Sequence, residues 1–248
     1  MKFIIPEFSW SPYGLIVIAS VAVGFTVAIF LMRRSGVAKE TVLYTCLLTT
    51  VCTLTVSVMT TVLQSKGTLN IGFSGLGAAV GMISGVFISN LIMRDKSDIV
   101  MASFVATAPL MYGLAKTGCL LAGCCHGKPY DGPFAICYQG THGGSYFPAQ
   151  IIDMISFILL FIMGLMLITK MKNKTLAVFI ILIVLTPVRF LLEYLRFYHD
   201  GSVISQGQVT VLIAGALSLT LAAVWKGVMR IGKQHEHPAA GAGGSGQP

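Results

Sequence analysis

Seven apolar stretches dominate the sequence, and each is long enough to cross a lipid bilayer as a helix. A hydrocarbon core about 30 Å thick needs roughly 20 apolar residues in helical form. The stretches cover residues 12–33, 41–63, 71–93, 99–122, 149–169, 175–197 and 207–230. Hydrophobic residues make up 55% of the chain and charged residues 10%, which excludes an ordinary soluble domain. We therefore predict an all-α polytopic membrane protein with seven transmembrane helices.

Basic residues predict the orientation of these spans. If the spans alternate, most Lys and Arg residues fall on one side, which the positive-inside rule makes cytoplasmic. The N-terminus is then outside and the C-terminus cytoplasmic. The formal net charge of +8 is thus mainly a topology signal, and no basic and aromatic patch supports nucleic-acid binding. The cytoplasmic group is Arg33, Arg34, Lys39, Arg94, Lys96, Lys170, Lys172, Lys174, Lys226, Arg230 and Lys233, and the opposite group is Lys2, Lys66 and Lys128.

The chain is predicted to form one membrane domain, residues 1–231, followed by a short tail. Residues 123–148 form an outer loop rich in Gly, Pro and Tyr, which is much longer than the usual connection of about 4–6 residues. Residues 232–248 are of low complexity and are expected to be disordered.

Glycines recur at every fourth position of the third span. Gly77, Gly81 and Gly85 leave one helix face bare, which favours close packing on a neighbouring helix. Ser74 stands among glycines at the outer end of the same span. A hydroxyl and backbone N–H groups there can face an anion.

Ionisable residues within the predicted spans indicate a functional site, because such side chains are costly in a bilayer and usually serve a substrate, ion or proton. Arg189, Glu193 and Arg196 lie at i, i+4 and i+7 of the sixth span and share one face of a helix. Two other interpretations stay open: Arg189 pairs with Glu193, and Arg196 reaches the membrane interface. Gln150 and Asp153 share a face of the fifth span, where Asp153 is a candidate counter-ion.

Residues 116–127 read K-T-G-C-L-L-A-G-C-C-H-G and contain Cys119, Cys124 and Cys125. Three interpretations of the outer cysteines are open. The first interpretation is a disulfide from Cys137 to Cys124 or Cys125. The second is a metal site, and the third is a thiol nucleophile activated by the neighbouring His126. The C-x4-C-C-H spacing is not a standard zinc pattern, so the indication of a metal is weak. No metal or cofactor is predicted.

The order of these motifs resembles the prolipoprotein diacylglyceryl transferase family, which are seven-helix enzymes of the bacterial inner membrane with the N-terminus outside. The resemblance covers the chain to about residue 230. It includes F-P-A-Q-I-I-D for the family's H-P-x-Q-L-Y-E, and R-F-L-L-E-Y-L-R for its R-F-x-x-E-F-x-R. The matching positions are Tyr13 and Gly14 at the first span, Pro148, Gln150 and Asp153 at the fifth, Arg189, Glu193 and Arg196 at the sixth, and S-Q-G-Q at 205–208 for the family's S-M-G-Q.

The signature of the family's fourth span, G-R-x-x-N-F-x-N-G-E-x-x-G, is altered in this chain. Gly123 and Gly127 stand at its glycines, and Lys116 stands at its Arg. Three further positions differ: Cys119 and Ala122 replace the two Asn residues, Cys124 replaces the Glu, and Ser74 replaces a family His at the start of the third span. These positions are tied to catalysis in the family, so the fold is expected to be closer to the family than the chemistry is.

The resemblance implies a membrane enzyme that moves a diacylglyceryl or related lipid group from phosphatidylglycerol to a cysteine thiol of a prolipoprotein or another acceptor. The implied partners are therefore a phospholipid, a thiol acceptor and the membrane, and the implied location is the bacterial inner membrane. The candidate catalytic residues are His126, Arg189, Glu193, Ser74, Cys124 and Cys125, and the candidate phospholipid-binding residues are Lys116, Arg189, Arg196, Tyr13, Cys119, Gly127, Gln150 and Asp153.

His126 is the candidate for proton transfer, because a Ser at position 74 cannot act as an ordinary base and an imidazole can accept a proton near neutral pH. Another class of function stays open. A non-enzymatic, redox or metal-binding membrane protein would keep the same fold and use the outer cysteines differently.

Overall fold

A computed structural model gives the fold, and it describes residues 2–6, 11–64, 74–139, 143–197 and 203–236. The elements are β1 (Phe3–Ile5), α1 (Tyr13–Arg34), α2 (Lys39–Gln64), α3 (Gly75–Met93), α4 (Ser97–Leu121), β2 (Ile136–Tyr138), β3 (Gly144–Tyr146), α5 (Ala149–Lys170), α6 (Lys174–Leu192) and α7 (Gln206–Glu236). All seven helices are long and apolar enough to cross a membrane. The predicted seven-span, all-α membrane protein is thereby confirmed, and the outward N-terminus stays a prediction.

Two helix ends differ from the predicted ranges. The helix α6 ends at Leu192 and continues as one turn of 3-10 helix, Glu193–Leu195. Arg196 is extended, so it does not share a continuous helical face with Arg189 as predicted. The helix α7 reaches Glu236 and so enters the predicted tail. The rest of that tail, Lys66 and the predicted start of the third span at 71–73 lie outside the described residues.

The helix α4 is the most buried of the seven spans. It contacts α1, α3, α5 and α6, and most of its buried side chains are small or apolar. Its last turns carry Lys116 and Cys119, both of which are buried. A polar group at the end of α4 is therefore surrounded by other helices and not by lipid.

The predicted glycine face of α3 packs directly on α2. A Cβ atom on Gly81 would lie 2.6 Å from the backbone oxygen of Cys52, and one on Gly85 would lie 2.6 Å from Cα of Thr49. Further along the same interface, the hydroxyls of Thr45 and Ser89 are hydrogen-bonded at 2.6 Å. Small residues therefore let the two backbones approach closely, as in other membrane helix pairs.

The long loop between α4 and α5 forms a small sheet with the N-terminal segment. The strand β2 lies in the middle, parallel to β1 and antiparallel to β3. The hydroxyl of Tyr138 in β2 donates to the carbonyl oxygen of Leu120 at 3.1 Å, which ties the sheet to the end of α4. The sequence marked this loop as unusual without predicting strands.

We expect Gly81→Ala to lower the melting temperature of the detergent-solubilised protein, because its new methyl group would meet backbone atoms of α2. Overpacking of this kind costs about 1–3 kcal/mol. Gly227→Ala in α7 is the control, because a Cβ atom there meets nothing within 4 Å. A Gly81→Ala protein that melts together with wild type would contradict the close packing.

Candidate functional site

The end of α4 is a Schellman motif, a helix end closed by a residue with positive φ. Gly123 has φ +68°, and its N–H donates to the carbonyl of Leu120 at 3.4 Å. The N–H of Cys124 donates to the carbonyl of Cys119 at 3.1 Å. These are the two bonds that define the motif, and they bring the two residues flanking the turn into contact. The five-residue separation of Cys119 and Cys124 therefore places their side chains together.

Cys125 completes a cluster of three thiols. It has φ +57°, a left-handed conformation that residues other than Gly and Asn seldom adopt. The Sγ atoms of Cys119, Cys124 and Cys125 all lie within 4.8 Å of one another. We call these three residues the thiol cluster.

Hydrogen bonds within the thiol cluster separate the acidities of its members. The thiols of Cys119 and Cys124 stabilise the ionised form of Cys125 and lower its pKa, and the cations of Lys116 and Arg196 act in the same direction. The pKa of Cys124 is raised, because its bonds to Cys119 and Cys125 and its burial favour the neutral thiol. The cluster therefore favours the thiolate at Cys125 and the neutral thiol at Cys124.

Asp153, in the first turns of α5, is the centre of a buried charge network. Its Oδ2 lies 3.4 Å from Nζ of Lys116 and accepts a hydrogen bond from Nη2 of Arg196. The side chain of Asp153 is 1% exposed, and both cations are also buried. Nη1 of Arg196 donates to the carbonyl of Cys125 at 3.0 Å. Asp153 is thus the counter-ion of Lys116 and Arg196, and Arg196 is buried inside the protein.

Arg189 and Glu193 form a second ion pair at the end of α6, with 2.6 Å between Nη1 and Oε2. The pairing that the sequence left open is therefore present. The two atoms are close but are not aligned as a hydrogen bond, and Nε and Nη1 of Arg189 are buried without a hydrogen-bond acceptor among the described residues. Buried donors without partners cost free energy, so an acceptor from outside the chain would be stabilised here.

Tyr112 joins the two ion pairs, and the sequence analysis missed it. The Nζ atom of Lys116 lies 4.7 Å from the centre of its ring, and Cζ of Arg189 lies 5.9 Å away. Cations over an aromatic face are attracted by its quadrupole. Tyr112 precedes Lys116 by four residues in α4, a spacing that places two side chains on one face, and this was the available signal.

The site carries one positive charge in excess. Its cations are Lys116, Arg189 and Arg196, and its carboxylates are Asp153 and Glu193. In a buried setting an uncompensated charge is costly, so the network favours an added anion. A phosphate group has the charge and the acceptor oxygens that fit.

Gln150 fixes the loop that bears the thiol cluster. Its Nε2 donates to the carbonyl of Cys124 and to the hydroxyl of Tyr138, both at 3.0 Å. Burial raises the pKa of Tyr138 to about 12, so its hydroxyl stays protonated and donates to the end of α4. Oε1 of Gln150 is buried without a partner among the described residues.

His126 lies in an aromatic cluster beside the loop. Its ring centre is 4.1 Å from that of Tyr146 and 5.0 Å from that of Phe197. Its Nδ1 lies 3.2 Å from the carbonyl of Gly127. A Cβ atom on Gly127 would be 2.8 Å from Cβ of Phe147, so only glycine fits between the loop and this neighbour.

The S-Q-G-Q motif starts α7 and contacts the charged site. The backbone N–H of Ser205 donates to Oε1 of Gln208 at 2.8 Å, and the N–H of Gln208 lies 3.3 Å from Oγ of Ser205. This reciprocal pair is a capping box. Between them, a Cβ atom on Gly207 would lie 3.0 Å from Cδ of Glu193. The motif therefore begins a helix and leaves room for the Glu193 carboxylate.

Tyr13 and Ser74 mark two further edges of the region. The Tyr13 ring packs on Gly118, where a Cβ atom would be 3.2 Å from its Cδ2. Ser74 caps α3 by accepting from the N–H of Gly77 at 3.3 Å. A Cβ atom on the next residue, Gly75, would lie 3.1 Å from Tyr112. Ser74 thus caps α3. Its neighbour Gly75 lies against Tyr112, and Tyr112 in turn contacts Lys116 and Arg189.

Cys137 does not form the disulfide that the sequence left open. All six cysteines are free, and the Cys137 thiol donates to Oγ of Ser145 at 3.6 Å. Successive side chains of a strand point to opposite faces. Because Tyr138 faces the end of α4, Cys137 faces away from Cys124 and Cys125.

Comparisons with known proteins agree with this geometry. The model of the prolipoprotein diacylglyceryl transferase family matches residues 1–226. Phosphatidylglycerol–prolipoprotein diacylglyceryl transferase 2 of Clostridium perfringens (strain 13 / Type A) is 32% identical over 162 residues, which are 59% of this chain. The match spans 60% of that relative's length. The family match covers nearly the whole chain and confirms the resemblance of its motifs, so the chain belongs to the prolipoprotein diacylglyceryl transferase family.

Proposed function

We propose that this protein transfers the diacylglyceryl group of phosphatidylglycerol to the cysteine thiol of a prolipoprotein, in the bacterial inner membrane with its N-terminus outside. Residues 1–231 form the catalytic domain. The observation that carries the proposal is the buried guanidinium of Arg189, whose Nε and Nη1 have no hydrogen-bond acceptor among the described residues. The name of the Clostridium perfringens relative describes the same activity.

The reaction needs a cationic site and a deprotonated thiol. The acceptor sulfur bonds to a glyceryl carbon of the lipid, and the bond from that carbon to its phosphate oxygen breaks. The electron pair leaves on the oxygen of glycerol phosphate, and the thiol gives up its proton. Negative charge therefore grows on the phosphate in the transition state, where fixed cations are most effective.

Arg189 and Lys116 hold the phosphate. A guanidinium binds two phosphate oxygens at once, whereas an ammonium acts as a point charge. Both cations lie against the ring of Tyr112, which holds them near one side chain. Lys116 at the signature Arg position retains the attraction but loses the two-point geometry, so Arg189 sets the orientation of the lipid.

The other charged residues position these two cations. Asp153 forms ion pairs with Lys116 and Arg196. Glu193, four residues after Arg189, forms an ion pair with it. Gln150 supports the loop through Cys124.

Further residues shape the lipid site and its thiols. Gly127 allows the loop to approach its neighbours, Ser74 and Tyr13 border the lipid headgroup, and the thiol cluster faces the acceptor.

His126 receives the proton of the acceptor thiol. The ring is held by Tyr146 and Phe197 and directly follows Cys125 in sequence. An imidazole so placed can take a proton without a large change of structure.

We expect Arg189→Ala to lower kcat/KM by roughly 100-fold, the usual effect of removing one preorganised donor. The assay follows labelled phosphatidylglycerol into a lipobox peptide. Arg189→Lys should give an intermediate kcat/KM, because lysine keeps the positive charge but cannot bind two phosphate oxygens at once. Lys172→Ala, an exposed residue between α5 and α6, is the control. Wild-type transfer by Arg189→Ala would refute the phosphate role.

Asp153→Asn should destabilise the protein strongly, because it leaves two buried cations without their carboxylate. Breaking a buried pair costs about 3–5 kcal/mol, which thermal unfolding in detergent measures. The matched control is Asp131→Asn, which breaks an exposed pair with Lys2 and should hardly change the melting temperature. Equal melting temperatures for the two variants would show that the Asp153 network is not a structural centre.

His126→Gln should lower kcat by about 100-fold or more while leaving lipid binding intact, because it removes the proton acceptor. Tyr146→Phe keeps the ring that packs on His126 and tests whether packing alone matters. Full turnover by His126→Gln in the same transfer assay would exclude His126 as the base.

A further inference from the structure

We infer that Cys119, Cys124 and Cys125 bind one thiophilic divalent cation, of which zinc is the representative, and that its remaining coordination position receives the acceptor thiol. The metal site follows from the geometry of the chain alone. The identity of the incoming thiol rests on the proposed function.

The separation of the three sulfurs is close to what a metal requires. All three Sγ atoms lie within 4.8 Å of one another. Zinc–sulfur bonds of about 2.3 Å in a tetrahedral arrangement place sulfurs about 3.8 Å apart. The sulfurs are therefore at most about 1 Å farther apart than a tetrahedral zinc site requires.

The backbone that carries the thiols is fixed by contacts other than the thiols. The Schellman motif at Gly123 positions Cys119 and Cys124. The carbonyl of Cys124 accepts from Gln150, and the carbonyl of Cys125 accepts from Arg196, both at 3.0 Å. Outer contacts of this kind orient metal ligands and support affinity. The loop is therefore preorganised, as a binding site requires.

Charge balance selects a divalent ion. The five ionised residues around Tyr112 and Asp153 carry one positive charge in excess. Three thiolates with a divalent ion carry one negative charge, so the buried assembly is neutral before substrate binds. Phosphate binding then rests on Nε and Nη1 of Arg189, which have no hydrogen-bond acceptor among the described residues, and not on the excess charge. A monovalent ion would leave a net negative charge. Thiolate ligands in turn favour zinc-like metals over magnesium or calcium.

Three protein ligands leave one position of a tetrahedral metal unfilled. Among the described residues, the group of metal-ligand atoms within this distance contains the three cysteines and no further His, Cys or carboxylate. Zinc with three protein ligands keeps its fourth position for water or substrate. Cys124 and Cys125 are half-buried, so a peptide thiol can approach from their side.

Coordination would supply the activated nucleophile. A thiol bound to a metal ion loses its proton outright, so the acceptor sulfur replaces a bound water as a thiolate and its proton passes to His126 or to solvent. The sulfur then bonds to the glyceryl carbon while the carbon–oxygen bond to the phosphate breaks. The phosphate held by Arg189 takes the electron pair. No oxidant or reductant is needed.

The test titrates Co(II) into the reduced, detergent-solubilised full chain. We expect one equivalent to bind with thiolate charge-transfer and tetrahedral d–d bands, and stoichiometric Zn(II) to displace it. Cys119→Ser, Cys124→Ser and Cys125→Ser should each weaken binding by at least about 100-fold, more than the loss of an outer contact does. Cys137→Ser is the control and should bind within twofold of wild type. Melting curves of the metal-free variants verify that each one folds.

A lipobox peptide then tests the fourth position. Its cysteine form should shift the cobalt charge-transfer band, and a peptide with serine in place of that cysteine should not. Absence of binding would overturn the proposal. Binding that survives the three substitutions would indicate an adventitious ion only and would overturn it too. A cobalt charge-transfer band that the cysteine peptide leaves unchanged would also overturn the proposal. These spectra need no phospholipid, so a failed transfer assay counts against the proposed function separately.

Discussion

The carboxylate of Asp153 is the interaction on which the site depends. It joins a cation from the end of α4 to one that follows α6, and it does so from α5 while almost fully buried. The single carboxylate of Asp153 thus links one end of each of the three spans α4, α5 and α6. In a bilayer, apolar packing alone gives little preference for one helix register over another. A buried ion network with one geometry supplies that preference, because any slip leaves a charge unpaired.

The same network supports the proposed binding of an anion. Two carboxylates cannot neutralise three cations, and Nε and Nη1 of Arg189 have no hydrogen-bond acceptor among the described residues. The capping box at Ser205 and Gln208 starts a helix whose Gly207 leaves space for the Glu193 carboxylate. A structural motif of α7 therefore contacts Glu193, the ion-pair partner of Arg189. The contacts that pair the buried charges are therefore the same ones on which the proposed anion binding rests.

The sequence predicted the parts of this arrangement that follow a simple period. Apolar length defined the seven spans, and the spacing of Gly77, Gly81 and Gly85 identified the α3 face that packs on α2. The charged residues of the site were also found, since ions within apolar spans stand out. Arg196 leaves the helix because of tertiary packing. The contacts of Tyr112 with Lys116 and Arg189 also depend on tertiary packing. Strand alternation turned Cys137 away from the other thiols, and no local pattern in the Gly-rich loop predicts that.

Spacing rules gave only a weak indication of a metal at the thiol cluster, and the reason is physical. Zinc patterns in sequence describe loops that the metal itself organises, whereas here a helix end and the positive φ of Gly123 organise the loop first. Cys124 stands where the resembling family has Glu, which would offset the single excess positive charge of this network. A neutral thiol cannot do so. Three thiolates around a divalent ion carry the same charge as that Glu, so the metal site would restore the electrostatic balance with different ligands and would add a position for the acceptor sulfur.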